Sequence, residues 1–193
     1  TISLGLPSLN ASFGHTDMLD LLSVEDLKNT KLEEIRTLKF QGNDPTSNAL
    51  RIVQSASEGD TTSEYLCGFM YEFGIFFKPD LDKAFEFYQK ASSKNHIESK
   101  IRIAWIYFGK EDQTELQKQA YQILKETSTS NNIDAKISFG MIRILAPKTD
   151  IDKQEGFNAI KVLAEKGEGQ AQYLLGACYF EGLGCTQNFQ EAL

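Results

Sequence analysis

An all-α solenoid, a right-handed superhelix of antiparallel helix pairs, is the fold class predicted by this 193-residue sequence. Three observations predict it. Small residues recur at a spacing of 36: Gly68, Ala104, Gly140 and Gly176. Two more small columns keep the same step, Ser63, Ser99, Ala135 and Ala171 ahead of it, and Ala84, Ala120, Gly156 and Ala192 behind it. A large column then follows, Phe85, Tyr121, Phe157 and Leu193. Small and large positions that stay in step across two segments per period describe a repeat. Each unit of such an array buries its apolar face against its neighbours rather than in one central core.

The elements follow in chain order. Residues 1–16 are rich in Ser, Gly and Asn and carry no charge apart from His15, which reads as an irregular tail. Residues 17–59 read as a divergent capping unit. Ser23 can cap a helix with an acid three residues on, and Leu27, Leu32, Ile35 and Leu38 continue an apolar stripe. Gln41 to Pro45 breaks it, and Asn48 to Glu58 forms the second helix of that unit.

Residues 60–193 read as four repeats, the last truncated. The first pairs Ser63–Phe73 with Leu81–Ser92, and the second Ile97–Phe108 with Leu116–Thr127. The third pairs Asp134–Leu145 with Lys153–Glu165, and the fourth Gly169–Glu181 with the start Phe189–Leu193. Gly74, Pro79, Gly109, Pro147, Gly167, Gly182 and Gly184 fall between these segments, where Gly ends a helix and Pro cannot continue one. Asp80, Asp152 and Asn188 share a column just before each second helix, where a short oxygen-bearing side chain can accept from the first turn. The second unit has Leu116 in that column, so its cap is expected from Thr114.

The small columns set interhelical distance, since helix axes approach to about 8 Å only where a contact residue is small. Gly68 and Ala84 are expected to nest, with Phe85 and Tyr71 filling the space beside them.

Composition narrows the function. A net charge of −7 without a basic cluster argues against nucleic acid, because no set of cations is available to neutralise phosphates. The acidity makes a basic or amphipathic partner the better match. No run approaches the roughly 18 apolar residues of a membrane span. Cys67, Cys178 and Cys185 do not form a disulfide framework and read as packed thiols, although a local Cys178–Cys185 bridge fits an oxidising compartment. His15 and His96 have no ligand-spaced partner, so no metal site is expected. The Gly182-x-Gly184 pair is a repeat turn and not a dinucleotide loop, which needs a preceding strand. No catalytic residue and no cofactor is expected. The chain lacks an initiator Met and stops inside a predicted helix, which reads as a fragment. The compartment stays open, with cytoplasm favoured over endoplasmic reticulum lumen or bacterial periplasm.

Residues Ala171 to Gly184, Ala-Gln-Tyr-Leu-Leu-Gly-Ala-Cys-Tyr-Phe-Glu-Gly-Leu-Gly, closely resemble the first half of a Sel1-like repeat. Asp80 to Ala91 resemble its second half, with Lys83-Ala84 at the signature position. The resemblance covers residues 60 to 193. It departs from the pattern at Ala104, at the glycine-free loop Lys110-Glu111-Asp112, and at Arg143, where the pattern has Tyr. The 36-residue step separates it from the related tetratricopeptide repeat of about 34. The resemblance implies an adaptor that assembles protein complexes and is not an enzyme.

By analogy with tetratricopeptide arrays, the first helices line a concave face. The columns that turn inward read Phe69, Trp105, Met141 and Ala177, then Glu72, Phe108, Ile144 and Phe180, then Tyr65, Ile101, Ile137 and Tyr173. The third can equally be core between repeats. Together they predict a groove for an amphipathic helix or extended peptide of a partner protein, carried by Tyr65, Phe69, Glu72, Trp105, Phe108, Met141, Ile144, Tyr173 and Phe180. Two alternatives stand beside this reading. One is a non-catalytic regulatory region of a larger enzyme or enzyme complex. The other is an oligomerisation or structural segment that self-associates through the truncated last repeat.

Overall fold

The computed structural model describes residues 45–110 and 113–192, with side chains from 49 onward. The predicted tail, and the helix of the capping unit before Pro45, lie outside the described residues. Eight α-helices and no strand occupy the described residues. They are α1 (Pro45–Ser57), α2 (Thr61–Phe73), α3 (Leu81–Ser93), α4 (Ile97–Phe108), α5 (Thr114–Thr127), α6 (Ile133–Leu145), α7 (Asp150–Glu165) and α8 (Gly169–Glu181). Each packs chiefly on the helices before and after it, most closely within the pairs α2–α3, α4–α5 and α6–α7. First helices also approach one another, as α4 does α6. Among the described residues no pair of second helices comes as close. The core is correspondingly a string of three clusters, around Tyr88, Leu124 and Ile160, rather than one centre.

The small columns act as predicted, but through different partners. A Cβ on Gly68 would lie 2.6 Å from Cε1 of Tyr88 and 3.1 Å from the Ala84 carbonyl. Tyr88, not Phe85, therefore covers the glycine. In the third unit both small positions are Gly, and a Cβ on Gly156 would meet the Gly140 carbonyl oxygen at 2.7 Å. Gly176 faces the carbonyl of Ala192, so the fourth unit begins to repeat the contact.

The large column reaches outward to the next unit. Phe85 meets Tyr107 with ring centroids 5.5 Å apart, and Phe157 meets Tyr179 at 5.4 Å. Between the second and third units the corresponding tyrosine is replaced by Arg143. Tyr121 there turns edge-on to Phe139 at 5.5 Å, and Arg143 lies over the same ring. Arg143 also donates from Nε to Asp152 Oδ1 at 2.6 Å and pairs with Glu155, while the Tyr121 hydroxyl donates to Asp152. An aromatic staple has been exchanged for a polar one at the same joint.

The ends of the helices correct two expectations. Asp80 caps α3 as predicted, accepting from the Lys83 amide at 3.0 Å. Asp152 does not cap: α7 starts a turn earlier, Thr149 Oγ1 accepts from the Asp152 amide, and the Asp152 carboxylate is buried beneath Arg143. Thr114 does not cap α5 either. It is already helical, and Gln113 before it makes no side-chain bond to the first turn. Asn188 accepts from the amides of Gln190 and Glu191. The cap of α4 is His96, whose Nδ1 accepts from the Ser99 amide at 3.3 Å.

Candidate functional site

The face predicted to bind a partner is built by a single helical stripe repeated through the first helices. On α4 it runs Glu98, Arg102, Trp105, at i, i+4 and i+7, so these three lie on one side of the helix. On α6 the same columns carry Asp134, Ser138 and Met141, and on α2 they carry Thr62, Leu66 and Phe69, with Tyr65 and Phe73 four residues to either side of Phe69. The aromatic rings touch in sequence along α2. Tyr65 and Phe69 have centroids 6.3 Å apart, and Phe69 and Phe73 are 4.5 Å apart. Arg102 crosses from the next unit and lays its guanidinium over Phe73 at 4.9 Å and Phe69 at 5.9 Å. Trp105 stands edge-on to Phe108 at 5.7 Å, and its indole N–H donates to Ser138 Oγ of α6 at 3.3 Å. Rings of α2 and α4, bridged by Arg102, thus form a half-buried strip that Trp105 ties to α6 through Ser138.

The predicted residues divide into three groups. Tyr65, Phe69, Trp105, Phe108 and Met141 are half-buried on this strip. Ile144, 2 % exposed, belongs to the core against Phe157 and Ile160, as Ile101 and Ile137 do to theirs. Glu72 is on the face but is engaged: it accepts two bonds from Arg102 and one from the Tyr88 hydroxyl. Tyr173 and Phe180, in α8, are 62 % and 54 % exposed, and Phe180 packs edge-on against Phe189. They extend the surface at its far end without joining the Phe69–Trp105 strip.

Sequence reasoning passed over Phe73, Arg102, Glu98, Asp134 and Ser138. Phe73 was within reach, four residues after Phe69 on the same helix face. Arg102 carries no comparable signal, because its role depends on reaching across a unit boundary.

The other sizeable recess is a furrow of about 610 Å³ where α3 and α5 diverge over α4, with Ile103, Tyr107 and Ile123 among its walls. Its Ser92, Thr127 and Ser130 hydroxyls are spent on local backbone carbonyls, and Asn95 on Lys100.

No group of three or more His, Cys, Asp or Glu among the described residues is placed to hold a metal. No described helix is long and apolar enough to cross a membrane. The three cysteines are free thiols. Burial pushes Cys67 up to about 12 and Cys178 up to about 11, which keeps both protonated and poor nucleophiles.

Comparison with known proteins agrees with this architecture. Residues 61–96 and 169–193 match the Sel1 repeat. Among curated proteins, the chain is 25 % identical over 158 residues to the ERAD-associated E3 ubiquitin-protein ligase component HRD3A of Arabidopsis thaliana, covering 74 % of this chain and 23 % of that protein. It is 29 % identical over 77 residues to the DAP3-binding cell death enhancer 1 of Mus musculus, covering 40 % of this chain and 15 % of that protein. The chain thus spans less than a quarter of the length of these curated relatives. Among solved structures, it superposes with a TM-score of 0.59 and 21 % identity on c5321, a protective antigen of uropathogenic Escherichia coli with an SLR fold, over 78 % of this chain and 32 % of that one. A Sel1 repeat protein from Oxalobacter formigenes gives a TM-score of 0.56 at 21 % identity, over 75 % of this chain and 57 % of that one. Sel1 repeats as a family mediate contacts between proteins. The aligned columns, the paired helices and these matches identify Sel1 repeats at residues 61–96 and 169–193, within an all-helical array that keeps the same step between them.

Proposed function

We propose that this chain is a protein-binding scaffold that takes an amphipathic helix or extended peptide of a partner along the first-helix face. The observation that carries the reading is the strip Phe69, Phe73, Trp105, Phe108 and Met141: large apolar groups half open to solvent, on elements whose other apolar columns are closed into the core. A purely solvated helix face carries Lys and Glu at such positions. Tryptophan and arginine are also the residue types that dominate binding energy at interfaces. The names of both curated relatives point to the same class, one being a component of a ligase and the other a binder of another protein. A scaffold of this kind needs no catalytic group.

The test is to pan a random dodecapeptide library on the folded protein and measure the selected peptides on variants. Trp105→Ala and Phe69→Ala are each expected to weaken binding by about tenfold or more, as truncation of an aromatic anchor does. Lys125→Ala, on an exposed second-helix position, is expected to leave it unchanged. Thermal melts run alongside, because Trp105 also bonds to Ser138. Unchanged affinity in the folded fraction of both aromatic variants moves the binding surface elsewhere.

A further inference from the structure

The charges around the aromatic strip are arranged unequally. Its cation, Arg102, is already cancelled, because Nε and Nη2 close on the two oxygens of Glu72 at 2.9 and 2.5 Å. Its two other charged members are both acids. Glu98 and Asp134 occupy one repeat column, in the first turns of α4 and α6, at the same end of the stripe. Glu98 accepts from the Asn132 side chain at 2.8 Å and lies 3.6 Å from His96, which neutralises it only when protonated. Asp134 is exposed and makes no ion pair among the described residues. Helical spacing sets Glu98 on the side of α4 that carries Trp105 and Asp134 on the side of α6 that carries Met141, and both acids also act on Tyr65. Burial raises the Tyr65 phenol, Arg102 draws it back, and Glu98, Glu72 and Asp134 push it up again. The aromatic floor and the acids therefore form one surface, in a chain of net charge −7.

We propose that the partner segment is basic as well as apolar: an aromatic or aliphatic anchor on Phe69, Trp105 and Met141, with an Arg or Lys seated between Glu98 and Asp134. This rests on the docking face described above and adds its charge specificity. The seven residues from Glu98 to Trp105 span roughly 10 Å of helix, which places the cation and the anchor about three residues apart in an extended peptide. An acidic segment would meet Glu98 and Asp134 with no free cation on the strip to receive it. An uncharged one would bring no cation to either carboxylate. Like-charge exclusion is how such a surface rejects wrong partners and steers right ones.

The experiment uses the dodecapeptides selected above, each carrying a fluorescent label whose anisotropy reports binding to the parent protein and to every variant. Selected peptides are expected to carry Arg or Lys near an aromatic or Leu. Replacing those cations by Gln should weaken binding about three- to tenfold at low salt, the effect of two exposed ion pairs. The difference should shrink in 0.5 M salt as screening sets in. The double variant Glu98→Gln/Asp134→Asn should lose the same factor for the basic peptide and nothing for its Gln counterpart, while Phe69→Ala weakens both. Peptides that are selected acidic or uncharged overturn the charge proposal and leave the docking face standing. So does a basic preference that survives in the double variant. Peptides indifferent to both Trp105→Ala and Phe69→Ala overturn the docking face itself.

Discussion

Arg102 of α4 forks onto Glu72 of α2, thirty residues earlier, and Glu72 accepts a third bond from the Tyr88 hydroxyl at 2.6 Å. Both ionic side chains are less than a fifth exposed. The triad ties the first helix of one unit to both the second helix of that unit and the first helix of the next. It also fixes the guanidinium over Phe69 and Phe73, so the same group that joins two repeats shapes the proposed binding strip.

Removing one partner should therefore cost more than removing both. Arg102→Met leaves the Glu72 carboxylate half-buried without its cation, and a loss of about 2–3 kcal/mol is expected, below the full cost of breaking a wholly buried pair. Arg102→Met combined with Glu72→Met should fall short of the sum of the single losses by about 1 kcal/mol or more. Denaturant unfolding of the three variants checks this. Strict additivity would mean that the pair is geometry without coupling.

The glycines of the small column should differ among themselves. Gly156→Ala would drive its Cβ into the Gly140 carbonyl oxygen, which is backbone and cannot swing away. Gly140→Ala meets the Cδ1 end of Ile160 at 2.9 Å, which can rotate. The first is expected to cost about 2–3 kcal/mol and the second under about 1.5 kcal/mol. Thermal melts of the two variants decide it, and equal shifts would show that the helices relax apart as rigid bodies.

Thiol reactivity should rank by burial. Cys185 is half-buried, with Sγ directed at the Cys178 carbonyl at 3.6 Å, whereas Cys67 and Cys178 are buried and held protonated up to about 12 and about 11. A maleimide at pH 8 is expected to modify Cys185 first and the other two only after unfolding. Three equivalents in the unfolded, unreduced protein confirm free thiols. Fewer would establish a bridge, contrary to the structure.

The polar joint at Arg143 should make the array acid-sensitive. Burial raises the Asp152 carboxyl. The Lys148 amide, the Arg143 guanidinium and the Tyr121 hydroxyl more than reverse that and leave it below the usual carboxylate value. A depressed native value stabilises the fold above the unfolded pKa of about 3.9, and that contribution is lost as pH falls through the native value. Asp152→Asn should therefore be less stable than the parent at pH 7, with the two curves converging below about pH 4. Parallel curves from pH 7 to 3 would exclude this contribution.

Much of the architecture was legible in the sequence because it is set by spacing. A 36-residue step of small residues admits one kind of packing, and Gly, Pro and Asp80 mark helix ends through local backbone chemistry. The binding face was legible only in part. Ile101, Ile137 and Tyr173 share a column, yet the first two are core and the third is exposed. Helical period assigns a residue to a side of its own helix. Whether that side is closed depends on what the neighbouring unit lays over it, and α8 packs chiefly on α7 among the described residues. Asp152 shows the same limit at a helix end: its type suited a cap, and the position of Arg143 buried it instead. The sequence by itself determined the period and the pairing of helices. Only the tertiary structure decided which aromatic rings stay open and which charges are already spent. Those depend on contacts across about thirty residues, as from Glu72 to Arg102 and from Trp105 to Ser138, that no local pattern encodes.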